Sequence, residues 1–486
     1  MDASVVGLPC WRLRAVAGAV ALLVGGTAAA QTSGVDGTNG DRIDCGDARP
    51  AVAIAACSRI IANKDVPPDI RVIALRNRGA FLQAQGELDR AIADYRQAIA
   101  LRPDATRLNA QIHVNIGVAL AANGDDAGAK AEDDQAIGLD PTLASARINR
   151  ASILIKRGED SEAIADLSQV IKANPRDAAI LVSRGALYIH RGEHDLAIAD
   201  LSAAIRLDPA NAVAWRDRGF AYRAKGDTAQ ALADARQAVR LDPSLADAHQ
   251  DLALGLAASG DVSAARRELD EAVQLNPKDA ATLVSRADNA LAGGDRDSAI
   301  ADYTQAIALD PKLASAYNNR GVAYMGKSDW PHAIADFTSV IALDPSQPAA
   351  ALNRGLAHQA NGEPDSAMAD FDHAIQLKPD SAEALRHRAF LNQTRRRFAE
   401  SVADYSRAIS LDPKDAEALR GRGLAELSLH EDDAAIADLT AAVGLNPKDG
   451  LAYRYRALAY SAKGDRAHAA ADDAQALQLD PGQGRR

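Results

Sequence analysis

A length of 486 residues speaks for several domains or for a repeat array. Aromatic residues make up only 4% of the chain, which suits closely packed helices more than sheets. The formal net charge of −11 excludes a general nucleic-acid binder, because phosphate binding needs basic surface.

The first thirty residues read as a leader and not as part of the fold. Arg12 and Arg14 precede AVAGAVALLVGG at 15–26, an apolar run too short to span a bilayer. Ala28, Ala29 and Ala30 then offer small residues for cleavage before Gln31. Leu13 separates the two arginines, so there is no twin-arginine pair, and no cysteine follows the run to be acylated. The expectation is a cleaved signal peptide and a periplasmic or secreted protein. Residues 31–44, QTSGVDGTNGDRID, hold too few apolar groups to fold and read as a flexible tail.

Cys10 leaves with such a leader, and Cys45 and Cys57 remain. An oxidising compartment favours a bridge between them. The reach is feasible: a helix starting near Arg49 puts Cys57 a rise of ~12 Å along it. The chain from Cys45 to Arg49, extended back along that helix, spans at most ~13–14 Å.

From residue 72 a repeat takes over. Prolines stand at 103, 141, 175, 209, 243, 277, 311, 345, 379, 413, 447 and 481, and from Pro141 onward every interval is 34 residues. The first interval is 38, an insertion of four around Thr106–Asn109. With proline as position 32, the twelve units are 72–105, 110–143, 144–177, 178–211, 212–245, 246–279, 280–313, 314–347, 348–381, 382–415, 416–449 and 450–483, leaving 484–486 as a tail. Position 8 is Gly or Ala in all twelve, position 20 is Ala in all but one (Ser401), and position 27 is Ala or Val throughout. Small residues there let two helices approach closely. Gly at 15, present in nine units, suits a helix C-terminus, and an acid at 16 suits the start of the next. Proline at 32 stops the second helix. Each unit is therefore a helical hairpin, with helix A near positions 2–14 and helix B near 17–31.

This pattern resembles the tetratricopeptide repeat over residues 72–483. The resemblance implies an all-α fold, a right-handed α-solenoid superhelix of about twelve helix-turn-helix units. It departs at position 4, aromatic in only three units (Trp215, Tyr317, Tyr453). Position 24 is aromatic in five (Tyr95, Tyr303, Phe337, Phe371, Tyr405) and aspartate in two, Asp133 and Asp473. AIAACSRII at 53–61 copies AIADYTQAI at 299–307, with Cys57 at the aromatic position. Residues 45–71 therefore read as a degenerate half-repeat that caps the array through its disulfide. In the last helix B, Ala470 and Asp473 replace apolar residues, as a solvent-facing end requires. Lys130 and Asp133 do the same inside the second unit and predict a soft joint near 140–144.

Position 7 is Arg in ten units and position 23 is acidic in all twelve. The two units without the arginine, with Ile116 and Leu252, are the two whose acid is Glu, Glu132 and Glu268. Arg and Asp thus co-occur within a unit, which predicts that Arg286 faces Asp302 and that Arg320 faces Asp336, as clasps between helices A and B.

No catalytic constellation, metal-spaced Cys/His set or phosphate-cradling loop is found, so the chain reads as neither an enzyme nor a cofactor protein. The resemblance instead implies a groove lined by helix A at positions 2, 5, 6, 9, 12 and 13, holding a protein or peptide. Position 6 is Asn in five units, Asn77, Asn115, Asn149, Asn319 and Asn353, and an amide both donates to and accepts from a peptide main chain. Arg216, Phe220 and Arg223 share a helix face in the fifth unit and are residue types that anchor interfaces. Arg395, Arg396 and Arg397 replace the usual turn in the tenth unit. The function expected is a non-catalytic protein- or peptide-binding scaffold. The alternative is a structural subunit of a cell-envelope assembly, such as a polysaccharide-export or secretion complex, gripping partners by its edges.

Overall fold

In the computed structural model, residues 38–47 and 49–480 are described, and they form twenty-six helices with no strand among them. The leader at 1–30, residues 31–37 of the expected tail and residues 484–486 lie outside the described residues. The chain divides into two compact units, Met1–Leu275 and Asn276–Arg486. The first holds two N-terminal helices and six hairpins; the second holds six more. Each is an all-α solenoid of stacked hairpins.

The fourth hairpin shows why the segments fold as they do. Asp177 caps helix A, Ala178–His190, by accepting from the amides of Ala179 and Ile180. Gly192 at φ 74° turns the chain, and Glu193 N–H returns to the Tyr188 carbonyl at 2.8 Å. Helix B, His194–Leu207, then runs until Pro209 forbids its continuation. The helices bury Leu181, Val182, Leu201, Ala204 and Ile205 between them. A Cβ on Gly185 would meet Leu201 Cγ at 2.8 Å, and one on Gly321 would meet Phe337 at 2.9 Å. Glycine at position 8 thus makes room for the side chain at position 24. At the turns of three other hairpins Ser328, Arg396 and His430 take the left-handed conformation at φ 59°, 60° and 63°.

The N-terminal end differs from the sequence reading. Residues 38–44, assigned there to a flexible tail, form helix α1 (Thr38–Asp44), and Pro50–Ala62 forms helix α2. A short helix thus precedes the segment expected to form the half-repeat cap, and the two helices lie together at the N-terminal end. Cys45 and Cys57 are joined in a disulfide, their Cα atoms 4.8 Å apart. Asp41 accepts from Arg59 of α2 at 2.6 Å. A covalent tie and an ion pair hold α1 where its own apolar content is too small to do so. Cys45, Ala56, Cys57, Ile60 and Val66 are buried with Ala74 of the first hairpin, which the cap covers.

Candidate binding face

The clasps between helices set the face. Arg320 donates from Nε and Nη2 to both oxygens of Asp336 at 2.9 and 2.7 Å, and Arg286 does the same to Asp302 at 2.8 and 2.7 Å. The same two-pronged pair joins Arg78 to Asp94, Arg150 to Asp166, Arg184 to Asp200 and Arg218 to Asp234. It recurs in Arg354–Asp370, Arg388–Asp404, Arg422–Asp438 and Arg456–Asp472. The partner inferred from co-occurrence is the one found. Such bidentate pairs are the strong geometry for Arg and carboxylate.

Sequence reading missed the third prong. Nη1 of each of nine arginines reaches position 25 of the preceding helix B. Arg184 meets Ser168 at 2.9 Å, Arg320 meets Thr304 at 2.9 Å and Arg388 meets Asp372 at 2.8 Å. One guanidinium therefore ties two helices of its own hairpin to the hairpin before. The signal was present: position 25 is Arg only at Arg96 and Arg236, and the next hairpins are the two that lack the clasp, with Ile116 and Leu252. In those two hairpins His113 bonds Glu132 at 2.6 Å and His249 bonds Glu268 at 2.7 Å instead.

With the hairpins locked, the A helices lie side by side and bridge to one another. Asn319 donates to Asp288 at 2.9 Å, thirty-one residues back, and Asp288 also accepts from Tyr303. Burial raises the Asp288 carboxyl above its ordinary range. Asn77 donates to the Cys45 carbonyl at 3.5 Å and accepts from Arg76 at 3.2 Å. Asn115, Asn149 and Asn353 are half-buried and make no side-chain hydrogen bond among the described residues. The five asparagines thus divide into two committed amides and three uncommitted ones.

Arg216, Phe220 and Arg223 also lie on this face, and their charges are taken up within the chain. Arg216 bonds Asp217 at 2.5 Å and Asp247 at 2.8 Å, and Arg223 bonds Asp251 at 2.9 Å while stacking 4.9 Å over Phe220. Asp247 and Asp251 come from the next helix A, which an i, i+4, i+7 reading of one helix does not see. Arg395 pairs with Asp365, while Arg396 and Arg397 are exposed. That pair belongs to a further ladder at the turns, with Lys156–Asp126, Lys225–Asp195, Lys327–Asp297 and Lys463–Asp433. In each, a base near the C-terminus of helix A meets an acid in the first turn of the preceding helix B, where both charges suit the helix dipoles.

Position 9 lies three residues from position 6 on the same helical face. In the eighth to twelfth hairpins it is apolar every time: Val322, Leu356, Phe390, Leu424 and Leu458. Phe390 is 46% exposed and Leu458 53%. The same position in the third and fourth hairpins is Ser152 and Ala186. Position 9 is also apolar at Val118, Phe220 and Leu254 in the first compact unit, but the second has the longer unbroken apolar run, five successive hairpins after Asp288.

Family models described as tetratricopeptide repeat match residues 82–124, 148–212, 212–245, 290–328, 322–392 and 392–449. The chain belongs to the tetratricopeptide repeat family. Among solved structures it is similar to the APC/C hetero-tetramer Cut9–Hcn1, at 17% identity over 85% of this chain and 94% of that one, with a TM-score of 0.43. It is also similar to yeast Tom70, at 18% identity over 86% and 93%, TM-score 0.35. A tetratricopeptide repeat protein from Parabacteroides merdae matches at 20% identity over 50% and 97%, TM-score 0.39. No curated protein matches the chain. No helix among the described residues is long and apolar enough to cross a membrane.

Proposed function

We propose that the protein is a non-catalytic scaffold that holds a peptide or protein segment along the face built by its A helices. The observation that carries this reading is the half-exposed row Val322, Leu356, Phe390, Leu424 and Leu458, one side chain per hairpin, beside the uncommitted amide of Asn353. An apolar row with intervening amides suits a partner that contributes both side chains and main chain. Asn115 and Asn149 offer the same amide chemistry in the first compact unit, beside Val118 and Ser152 at position 9. Arg216 and Arg223 serve this reading as struts between A helices more than as ligand contacts, because their acids are already in place. Residues 1–30 support export, and so does the Cys45–Cys57 bridge, which is the form expected outside the cytoplasm.

The test is site-specific crosslinking. A photo-reactive amino acid at Leu424 or Asn353 captures a partner in the producing cell, and Phe390→Ser with Leu424→Ser reduces that capture. The edge-gripping alternative rests on exposed Arg396 and Arg397. If Arg396→Ala with Arg397→Ala abolishes capture while the Asn115→Ala, Asn149→Ala and Phe390→Ser changes leave it intact, the reading fails in favour of an envelope-assembly subunit.

A further inference from the structure

The interior of the second hairpin contains a carboxyl group with nothing to bond it. Asp133 is fully buried, and neither of its oxygens has a hydrogen-bond partner. It occupies position 24, where five other hairpins place Tyr or Phe. Gly117 stands opposite, where an added Cβ would meet an Asp133 carboxyl oxygen at 3.2 Å. The apolar cluster between the second and third hairpins is correspondingly thin: Val114, Ala136 and Ala146, with Ile137 and Leu143 packed against it. By contrast, the cluster joining the first hairpin to the start of the second buries Leu75, Leu82, Ile92, Tyr95, Ile112 and Ile116.

The charges around Asp133 leave it no counter-ion. On its own helix, Glu132 is engaged by His113 and Asp134 by Lys130 at 3.3 Å. From helix A of the third hairpin, Arg150 spends Nη1 on Asp134 at 2.6 Å and Nε and Nη2 on Asp166. Asp166, from helix B of that hairpin, also takes Arg147 at 3.1 Å. Arg150 is the cation nearest to being a partner, and each of its three nitrogens already bonds another acid. A buried carboxylate without hydrogen bonds or a partner is costly, so the closed packing selects the neutral acid.

We propose that the interface between the second and third hairpins is a proton-operated joint. With Asp133 protonated it packs shut; with Asp133 ionised it loosens and admits water to the carboxylate. The sign follows from the burial. Loss of solvent pushes the Asp133 carboxyl up from 3.8 to about 8, with Arg150 opposing and Asp134, Asp166 and Glu132 adding to the rise. Closure is therefore favoured fully below the ordinary aspartate range, weakens as pH climbs, and has lost this contribution above about 8. The joint does not depend on what the A-helix face binds.

Hydrogen exchange on the full chain tests it, with rates corrected for the intrinsic pH dependence. Helices 126–139 and 144–157 should lose protection by roughly tenfold per unit as pH rises from about 5 to about 8, while 348–377, with Phe371 at position 24, should not. Asp133→Leu should keep the joint closed at every pH. Asp133→Asn, which leaves a buried polar group that cannot ionise, should give a looser joint that ignores pH. A wild-type joint with pH-independent protection, or an Asp133→Leu protein that still opens with pH, overturns the proposal.

Discussion

In the eighth hairpin Phe337 is fully buried against Gly321, and Arg320 holds Asp336 with two nitrogens and Thr304 with the third. In the second hairpin the corresponding residues are Asp133, Gly117 and Ile116, and a single His113–Glu132 contact does the clasping. Both hairpins have a 14-residue helix B whose start is capped by an aspartate, Asp125 or Asp329. The comparison separates what makes a hairpin from what locks it. Small residues, an acid-capped start and a closing proline suffice for the helices; the aromatic and the arginine decide how firmly neighbours are joined.

The largest way to break the contrast is to remove the arginine. Arg320→Ala leaves Asp336, which is 4% exposed, without its cation, and should cost ~3 kcal/mol locally. Amide exchange across 314–343 reads that loss. A similar effect is expected at the cap. Cys45→Ser with Cys57→Ser removes a tie worth roughly 3 kcal/mol for so short a loop, and should free α1 and expose Ala74 and Leu75. Protease cleavage near residues 45–50 monitors it.

Making the second hairpin resemble the eighth is the sharper test. Asp133→Phe restores the residue type that Phe337 and Phe371 supply at position 24 and should raise local stability by about 1–2 kcal/mol at neutral pH. A fall in thermal stability there would show that the packing around position 133 does not admit an aromatic ring. A fourth prediction uses pH elsewhere. Burial, with Arg386 assisting, lowers the His387 imidazole to about 4; the ring stacks on Phe371 at 5.5 Å and meets Gln359 at 3.2 Å. Its neutral form belongs to the folded state, so stability present above the ordinary histidine range falls as pH drops from 6.5 towards 4. His387→Gln should flatten that acid limb in a denaturation series. The smallest effect is expected from Asn353→Ala, under ~0.5 kcal/mol, because its amide bonds nothing among the described residues.

Much of this was legible because a twelvefold repeat supplies its own comparisons. The Arg–Asp partner could be chosen from the two exceptions, Ile116 with Glu132 and Leu252 with Glu268. The third prong stayed hidden because Ser, Thr and Asp share position 25 and look like ordinary surface variation, although each can accept a hydrogen bond. Arg216 and Arg223 looked free because their acids lie 31 and 28 residues away, on a helix that one-helix periodicity ignores. The helix at 38–44 was unreadable from composition, since a disulfide and the Arg59–Asp41 pair, not apolar residues, hold it. The asparagine face was half legible: the residues were visible in the sequence, but which amides are already spent was not.

The clasp has a consequence for how such an array can change length. Both buried charges of a clasp sit in one 34-residue segment, and its only outside partner is a hydroxyl or an acid near the surface. Unequal recombination that deletes or duplicates one segment therefore strands no buried ion, and the exchanged junction exposes only a side chain that water can satisfy. Gene-level gain and loss of whole segments is cheap in this chain wherever Arg and Asp travel together. At the second and sixth hairpins, whose predecessors carry Arg96 and Arg236, the segments fit in pairs, and shuffling there should move two at a time.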